Sequence, residues 1–586
     1  MLVLFINRPP KDKKTPSCGR RRLAVGSLVY KVCGVGRHSV MLLLVVALQA
    51  VGASPQIVST PSGQYRGYQL TSNSGRPFQA FSGIRYALPP VGHFRFQEPL
   101  PMHDTDEILD AMNEGSPCLQ IDSLDSSDQV IGDEDCLYLN VYTPSISNGT
   151  YPVLFWIHGG SWKWGSGSSS MYGPGAMLDK DVVLVTINYR LGPLGFSSLE
   201  DDTHPGNMGL KDQLAALHWT HRNIHAFGGD PDRITAAGQS AGAASVYFLM
   251  NAPAAQGLLV GGIAQSGSWL SPWAVGTPGS IREKTLKLAQ LADCKGKTSR
   301  AVMSCLLDVP GKKLIEAVKN FGLLEQELLP FRPVIEPKGG IIVEDPWITV
   351  PTPLPMLTGF TSAEGAFVAV ILSQGGGLLI TILDQAFDRF APDMLMYADT
   401  ASSPSIVTNA IRNFYLGETN ITGKNLGPVI DMVSDAWIIF PVHESALRQT
   451  GPVYGYMFDH RGASDVVHVL GSKQDFGVSH GDDIPYLFNT EKLNIQTIGN
   501  EADKNTSRHL VEIWANFATT GRPFMDGLEW YQLDDGGYMV ISENFSQGPV
   551  LSDRIDFWSS LPYRDKVKPK HGDYIPDYST ESFEIL

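Results

Sequence analysis

The sequence predicts an α/β fold, a central and mostly parallel sheet with helices on both faces. Three observations predict it. Apolar runs of strand length recur along the chain, segments with helical spacing separate them, and one run leads through a G-x-S-x-G pentapeptide straight into a helix. The runs are VLFWIH (153–158), VVLVTINY (182–189), RITAAG (233–238), LVGGIAQ (259–265), MLTGF (356–360) and VYGYMF (453–458). They are apolar throughout rather than alternating, the mark of strands buried on both faces. LKDQLAALHWTHRNIHAF (210–227) and SRHLVEIWANF (507–517) carry apolar residues three and four apart and read as helices. Ligands bind such sheets beyond the carboxyl ends of the strands, so function is expected just after these runs. VAVILSQGGGLLITIL (368–383) is broken by Ser373, Gln374 and three glycines. Neither half is long enough to cross a membrane, and both read as core or pocket-wall helices.

The first 53 residues differ from the rest. Nine Lys/Arg face one acid there, a charge of +8, so the remaining chain carries −23 against −15 for the whole. MLLLVVALQAVGA (Met41–Ala53) reads as a secretory signal ending in a small-residue cleavage site, and the long basic stretch before it predicts that translation starts at Met41. The expected division is a leader over 1–53, one large domain over 54–562 and a polar tail over 563–586. A mature chain this acidic argues against nucleic-acid or anionic-membrane partners, and the tail carries no membrane anchor. A secreted, extracellular location fits four N-x-[ST] sequons, at Asn148, Asn420, Asn505 and Asn544. It also fits an even number of cysteines beyond the leader, Cys118, Cys136, Cys294 and Cys305. Four cysteines allow three pairings, of which neighbour-with-neighbour is the simplest. His218, His221 and His225 share a helical face but have no carboxylate or strand ligand beside them, so they read as packing or surface residues and no metal is implied.

Two stretches fit G-x-S-x-G, GQSAG (238–242) and GVSHG (477–481). With 59 glycines in the chain, on the order of half a match arises by chance, so context decides. A nucleophile elbow needs a strand entering and a helix leaving. RITAA enters GQSAG and AGAASVYFLMNAP leaves it, whereas SKQDF and DDIPYLF, with Pro485, flank GVSHG. Ser240 is therefore the candidate nucleophile, and what GVSHG contributes is His480. A serine hydroxyl needs a base to take its proton, and the base needs a carboxylate to orient it. Glu364, just past the run MLTGF, supplies the acid. The glycine turn at the end of VLFWIHGGSW, His158, Gly159, Gly160 and Ser161, offers backbone N–H groups for an oxyanion hole, joined by that of Ala241.

These motifs together resemble the carboxylesterases and cholinesterases of the α/β-hydrolase fold, over about Pro61 to Trp558. The resemblance is carried by FSGIRYALPPVGHFRF (81–96), EDCLYLNVYTP (134–144), HGGSW (158–162) and NYRLGPLGF (188–196), and further by GNMGLKDQLAALHWTHRNI (206–224), FGGDPDRIT (227–235) and GQSAGAAS (238–245). It implies a Ser240–Glu364–His480 triad and oxyanion donors at Gly160, Ser161 and Ala241. It further implies supporting residues at Ser266 and Asp483, ion pairs Arg95–Glu134 and Arg190–Asp212, and disulfides Cys118–Cys136 and Cys294–Cys305. The implied activity is hydrolysis of small-molecule carboxylic esters with no cofactor.

Departures narrow the expectation. Ser161 stands where a third glycine is frequent, and its Cβ predicts poorer acceptance of bulky alcohol groups. The segment LQIDSLDSSDQVIGDED (119–135) has no aromatic residue to hold a quaternary ammonium by cation–π contact, which argues against a cholinesterase. Gln239 stands where cholinesterases carry Glu. GQSAG, Arg95-Phe96, Asp212-Gln213 and the spacing from Gly477 through His480 to Asp483 resemble the juvenile hormone esterases of insects. The alternatives to a general secreted esterase are therefore a hormone esterase of that kind and a non-catalytic or sequestering member of the family.

Overall fold

The apolar runs lie at the centre of an eleven-stranded sheet. The strands are β1 (Tyr68–Thr71), β2 (Pro77–Arg85), β3 (Tyr138–Thr143), β4 (Tyr151–Ile157), β5 (Val183–Ile187), β6 (Gly229–Gln239), β7 (Gly261–Gln265), β8 (Met356–Thr361), β9 (Val453–Phe458), β10 (Tyr538–Ile541) and β11 (Ser546–Gly548). Their spatial order is β11-β10-β9-β8-β7-β6-β4-β5-β3-β2-β1. The middle, from β10 to β5, is parallel, and antiparallel pairs flank it at both edges. This is the α/β-hydrolase fold as a mixed sheet: the centre is as the sequence predicts, and the antiparallel edges are additions to it. The structure is a computed structural model that describes residues 56–566 apart from 123–128, 148–149, 322–329, 337–338, 464 and 494–498. Residues before Gln56 form a separate unit, described only as an antiparallel pair, Arg22–Val25 with Leu28–Lys31. The signal expected at Met41–Ala53 and most of the tail lie outside the described residues.

Alternate side chains of each central strand serve opposite cores. Val153, Phe155 and Ile157 of β4 join a cluster that includes Leu217 and Val246. Leu154 and Trp156 join a second one with Ile513 and Trp514. The helices carrying these partners are α1 (Met208–Asn223), α2 (Ala241–Asn251) and, on the other face, α8 (Glu501–Thr520). Trp514 is fully buried, and its truncation to Ala is expected to cost about 3–5 kcal/mol. Helix α8 starts six residues before the predicted stretch because Asn500 and Asp503 form a reciprocal capping box, and it stops at Gly521 in the left-handed region. Helix α1 ends at Asn223, short of the predicted Phe227, where a tighter turn over Ile224–Phe227 takes over before Gly228.

Five shorter helical elements build the ground beside the sheet: α3 (Ala366–Ser373), α4 (Leu378–Gln385), α5 (Gly427–Ser434), α6 (Phe440–Arg448) and α7 (Val466–Val469). A π-helical turn, Asp435–Ile439, joins α5 to α6. The stretch 368–383 becomes α3 and α4, bent against each other by 108°. No single helix among the described residues is long and apolar enough to cross a membrane.

Both implied disulfides form, Cys118–Cys136 and Cys294–Cys305. Arg190 and Asp212 pair in two parallel contacts of 2.7 Å, almost completely buried, and the remaining Arg190 donors reach the carbonyls of Arg95 and Gln97. Arg95 grips Glu134 at 2.5 and 2.9 Å and donates to the carbonyls of Leu307 and Val309. Every guanidinium nitrogen of both forks has a partner, which is the condition under which a buried charge pair is tolerated. Asn420, Asn505 and Asn544 are exposed; Asn148 is outside the described residues.

Candidate active site

Strand β6 ends at Gln239 and helix α2 begins at Ala241, leaving Ser240 alone in the turn at φ 59° and ψ −122°. A non-glycine residue in this region is strained and persists only when its surroundings fix it. Here they do. The Ser240 N–H donates to the carbonyl of Gln265 at 2.8 Å. A Cβ on Gly242 would sit 2.1 Å from the Ile157 carbonyl oxygen, and one on Gly238 would sit 2.6 Å from the Gly242 backbone. Only glycine allows strand, turn and helix to close this tightly.

The glycine turn after β4 lies against that elbow. Gly160 has φ +101°, Ser161 58° and Trp162 51°. The Gly160 carbonyl accepts from the N–H groups of Lys163 and Trp164 at 3.0 and 3.1 Å. A Cβ on Gly159 would lie 3.1 Å from the Ser240 Cβ. Among the described residues, the N–H groups of Gly160 and Ser161 have no hydrogen-bond acceptor, and both residues line the same cavity as Ser240. His158, the first residue of this stretch, braces the turn. Its Nδ1 lies 2.7 Å from the Gly159 carbonyl, its ring stacks on Tyr189, and burial pushes its pKa down to about 4. It is a neutral donor near pH 7.

Glu364 follows β8 and is 1% exposed. One of its oxygens accepts the Thr361 N–H at 2.7 Å, and the other lies 2.5 Å from His480 Nδ1. On the far side of the ring, His480 Nε2 lies 3.1 Å from the amide nitrogen of Gln239. An amide nitrogen only donates, so this contact requires a neutral ring with its proton on Nδ1, facing Glu364. No hydrogen bond joins Ser240 Oγ to His480 among the described residues. Gln239 occupies that edge of the ring, a contact that its place next to Ser240 in the sequence does not reveal.

The residues after His480 are buried acids. Asp482 accepts the N–H groups of Val466 and Ser479 at 2.7 and 2.6 Å, tying α7 to the loop, and burial raises its pKa to about 8. Asp483 accepts from Gln265 Nε2 at 2.8 Å and from the Tyr456 hydroxyl at 3.2 Å, and burial raises it to about 6. The other oxygen of Asp483 and the Ser266 hydroxyl are buried without a hydrogen-bond partner among the described residues. Asp483 and Ser266 therefore make no hydrogen bond to His480, although Ser266 adopts φ 54° at the end of β7. Ser479 is fully buried.

Ser240, Glu364, His480, Gly160 and Ser161 all open on one cavity of about 330 Å³. Its other walls are mainly apolar, among them Trp164, Trp273, Phe367, Trp437 and Leu470. Such a space suits an uncharged substrate with one polar reacting group. His218, His221 and His225 lie elsewhere, along α1 and the turn after it, and among the described residues no group of three or more His, Cys, Asp or Glu could hold a metal ion.

Residues 54–558 match the model of the carboxylesterase family. The chain is 35% identical over 540 residues to a carboxylic ester hydrolase of Bombus ignitus, covering 87% of this chain and 94% of that protein. It is 32% identical over 553 residues to a juvenile hormone esterase of Tribolium castaneum, covering 86% and 94%. Among solved structures it resembles the juvenile hormone esterase of Manduca sexta with OTFP covalently attached, at a TM-score of 0.78 and 28% identity, covering 86% of this chain and 99% of that one.

Proposed function

The chain belongs to the carboxylesterase family and is a carboxylic ester hydrolase, and from that premise we propose that it is a secreted serine esterase working through Ser240, His480 and Glu364. The observation that carries this reading is the 2.5 Å contact between Glu364 and His480 Nδ1, on the wall of the cavity into which the strained elbow presents Ser240. With Nδ1 protonated toward Glu364, Nε2 is free to act as a base once Gln239 yields its position. Ser240 Oγ loses its proton to Nε2 and attacks the ester carbonyl. The oxygen that becomes negative is stabilised by the N–H groups of Gly160, Ser161 and Ala241. The alcohol leaves with the proton from His480, and water, activated the same way, releases the acid from the acyl-enzyme. Glu364 fixes the tautomer and stabilises the imidazolium that forms in each half-reaction. The two disulfides and the exposed sequons support secretion. The proposed mature chain is a single hydrolase domain over 54–562, preceded by a removed leader and followed by a polar tail.

A narrower reading, hydrolysis of juvenile-hormone-like esters, is favoured by likeness to the Tribolium and Manduca hormone esterases. A pre-steady-state assay with p-nitrophenyl butyrate tests the general reading. The expected result is a burst of nitrophenolate stoichiometric with protein followed by steady turnover, abolished in Ser240→Ala. A burst followed by negligible turnover would replace hydrolysis by sequestration. Neither burst nor turnover from folded, glycosylated protein would overturn the reading in favour of a binding protein.

A further inference from the structure

Behind the catalytic cavity lies a second, larger one of about 600 Å³, lined by apolar side chains such as Leu379, Leu383, Phe390 and Trp558 and also by charged ones, Arg389 and Asp399 among them. One side chain, Trp437, forms part of the wall of both cavities. It sits in the π-helical turn Asp435–Ile439, whose neighbours divide between the two spaces. Val433 and Ile438 face the catalytic cavity, and Ala436, Phe440 and Pro441 face the other. Turns of this kind place an extra residue in a helix and recur at functional sites. Trp437 is also close to the chemistry: the Phe367 ring lies 6.0 Å from Trp437 and 5.9 Å from His480.

The partition is held in place from three directions. The Trp437 indole N–H donates to the Met394 carbonyl at 2.9 Å, and the Trp437 carbonyl accepts the Trp273 indole N–H at 3.0 Å. Asp435, at the start of the turn, is gripped by two Arg554 nitrogens at 2.6 Å each and by the Tyr415 hydroxyl. A ring fixed in this way acts as a stop.

We propose that Trp437 sets the length of the ester arm this protein accepts, by closing the catalytic cavity against the larger, partly apolar cavity behind it. The protein is then selective for esters whose arm on this side is short, and the second cavity is the space a longer hydrocarbon arm would fill. The inference rests on the esterase reading above and names the substrate class of that site. Its physical basis is that each methylene accepted or refused by an apolar pocket changes kcat/KM by on the order of ten-fold or more.

The test measures kcat/KM for two ester series, one lengthened in the acid arm and one in the alcohol arm, with wild type, Trp437→Ala and the milder Trp437→Leu. The expected result is a rise of at least about ten-fold in the long-to-short ratio of one series in a variant that still hydrolyses the short ester. Trp437→Ala combined with Leu379→Trp, which refills the second cavity, is expected to reverse the rise. An unchanged ratio in both series, or a rise that survives the refilling, overturns the inference while leaving the esterase reading intact. If wild type hydrolyses no ester of either series, it is the esterase reading that fails.

Discussion

Two pentapeptides of one pattern, Gly238–Gly242 and Gly477–Gly481, reach the same cavity and do different physical work. In the first, a buried strand and a buried helix force Ser240 into a left-handed turn that presents it to the cavity. In the second, no strand enters and no long helix leaves. Ser479 is buried, its hydroxyl has no partner among the described residues, and its N–H is spent on Asp482. The glycines differ in the same sense. A Cβ on Gly242 would collide with the Ile157 carbonyl at 2.1 Å, whereas one on Gly481 would come no nearer than 3.6 Å to Gln239. The pattern selects small residues around a turn, and the chemistry comes from the elements on either side of it.

Removing the serine of the first pentapeptide should have the largest effect. Ser240→Ala is expected to reduce kcat by roughly 10⁴- to 10⁶-fold with the fold intact, measured as turnover beside a circular dichroism control. Glu364→Gln comes next, at roughly 10⁴-fold, because an amide no longer selects the Nδ1–H tautomer or stabilises the imidazolium. Gly242→Ala should break the elbow itself. With no room for the methyl group it is expected to cost several kcal/mol, on the order of 3 or more, visible as a large fall in Tm or loss of soluble protein. Gly481→Ala has the room but must hold a φ of +87°, and should cost only about 1 kcal/mol.

The residue between the two pentapeptides' functional atoms is Gln239, and exchanging its amide for a carboxylate sharpens the comparison. At His480 Nε2 the amide of Gln239 donates an N–H, whereas a carboxylate there can only accept. Gln239→Glu therefore exchanges a weakly held neighbour for a strong competitor with Ser240 for that edge of the ring, and is expected to lower kcat by about ten-fold. A kcat equal to that of wild type would show that residue 239 does not govern this edge of the ring.

The elbow holds no titrating group, whereas Asp482 and Asp483 follow the second pentapeptide immediately. Burial raises both above the ordinary carboxylate range, to about 8 and about 6. The folded chain thus holds these protons more tightly than the unfolded one. The stability they contribute is fully present below about pH 4 and is lost as pH rises through about 6 and then about 8. Denaturation midpoints in urea should accordingly fall between about pH 4 and about pH 8, and Asp482→Asn should flatten the upper part of that fall.

Much of this was legible before folding, for reasons that can be traced to particular residues. The central strands are apolar on both faces, so the runs around Leu154, Leu184 and Ile263 announce themselves. The edge strands Tyr68–Thr71 and Ser546–Gly548 bury little, mix polar and apolar residues, and read as loop until a neighbour supplies hydrogen bonds. Chain order and resemblance bring Ser240, Glu364 and His480 together on paper, because each follows an element of the sheet. Two contacts were not legible, Gln239 against His480 and Trp437 between two cavities. Both depend on which way a side chain turns after the backbone is fixed, and no spacing rule encodes that.

The smallest expected effect belongs to Ser479, and it is the one that tests the comparison from the other side. If the second pentapeptide were a second nucleophile site, Ser479→Ala would reduce the burst or the turnover. If its serine is only a small residue packed beneath the loop, the substitution removes a buried hydroxyl that makes no hydrogen bond among the described residues and leaves the Ser479 N–H contact to Asp482 intact. A buried hydroxyl without a partner costs about 1–3 kcal/mol relative to its hydrated state in the unfolded chain. The expected outcome is therefore an unchanged burst, turnover within about two-fold of wild type, and a Tm equal to or slightly above it. A fall in Tm would mean that the hydroxyl is bonded in solution, and would point to an ordered water between Ser479 and its neighbours rather than to catalysis.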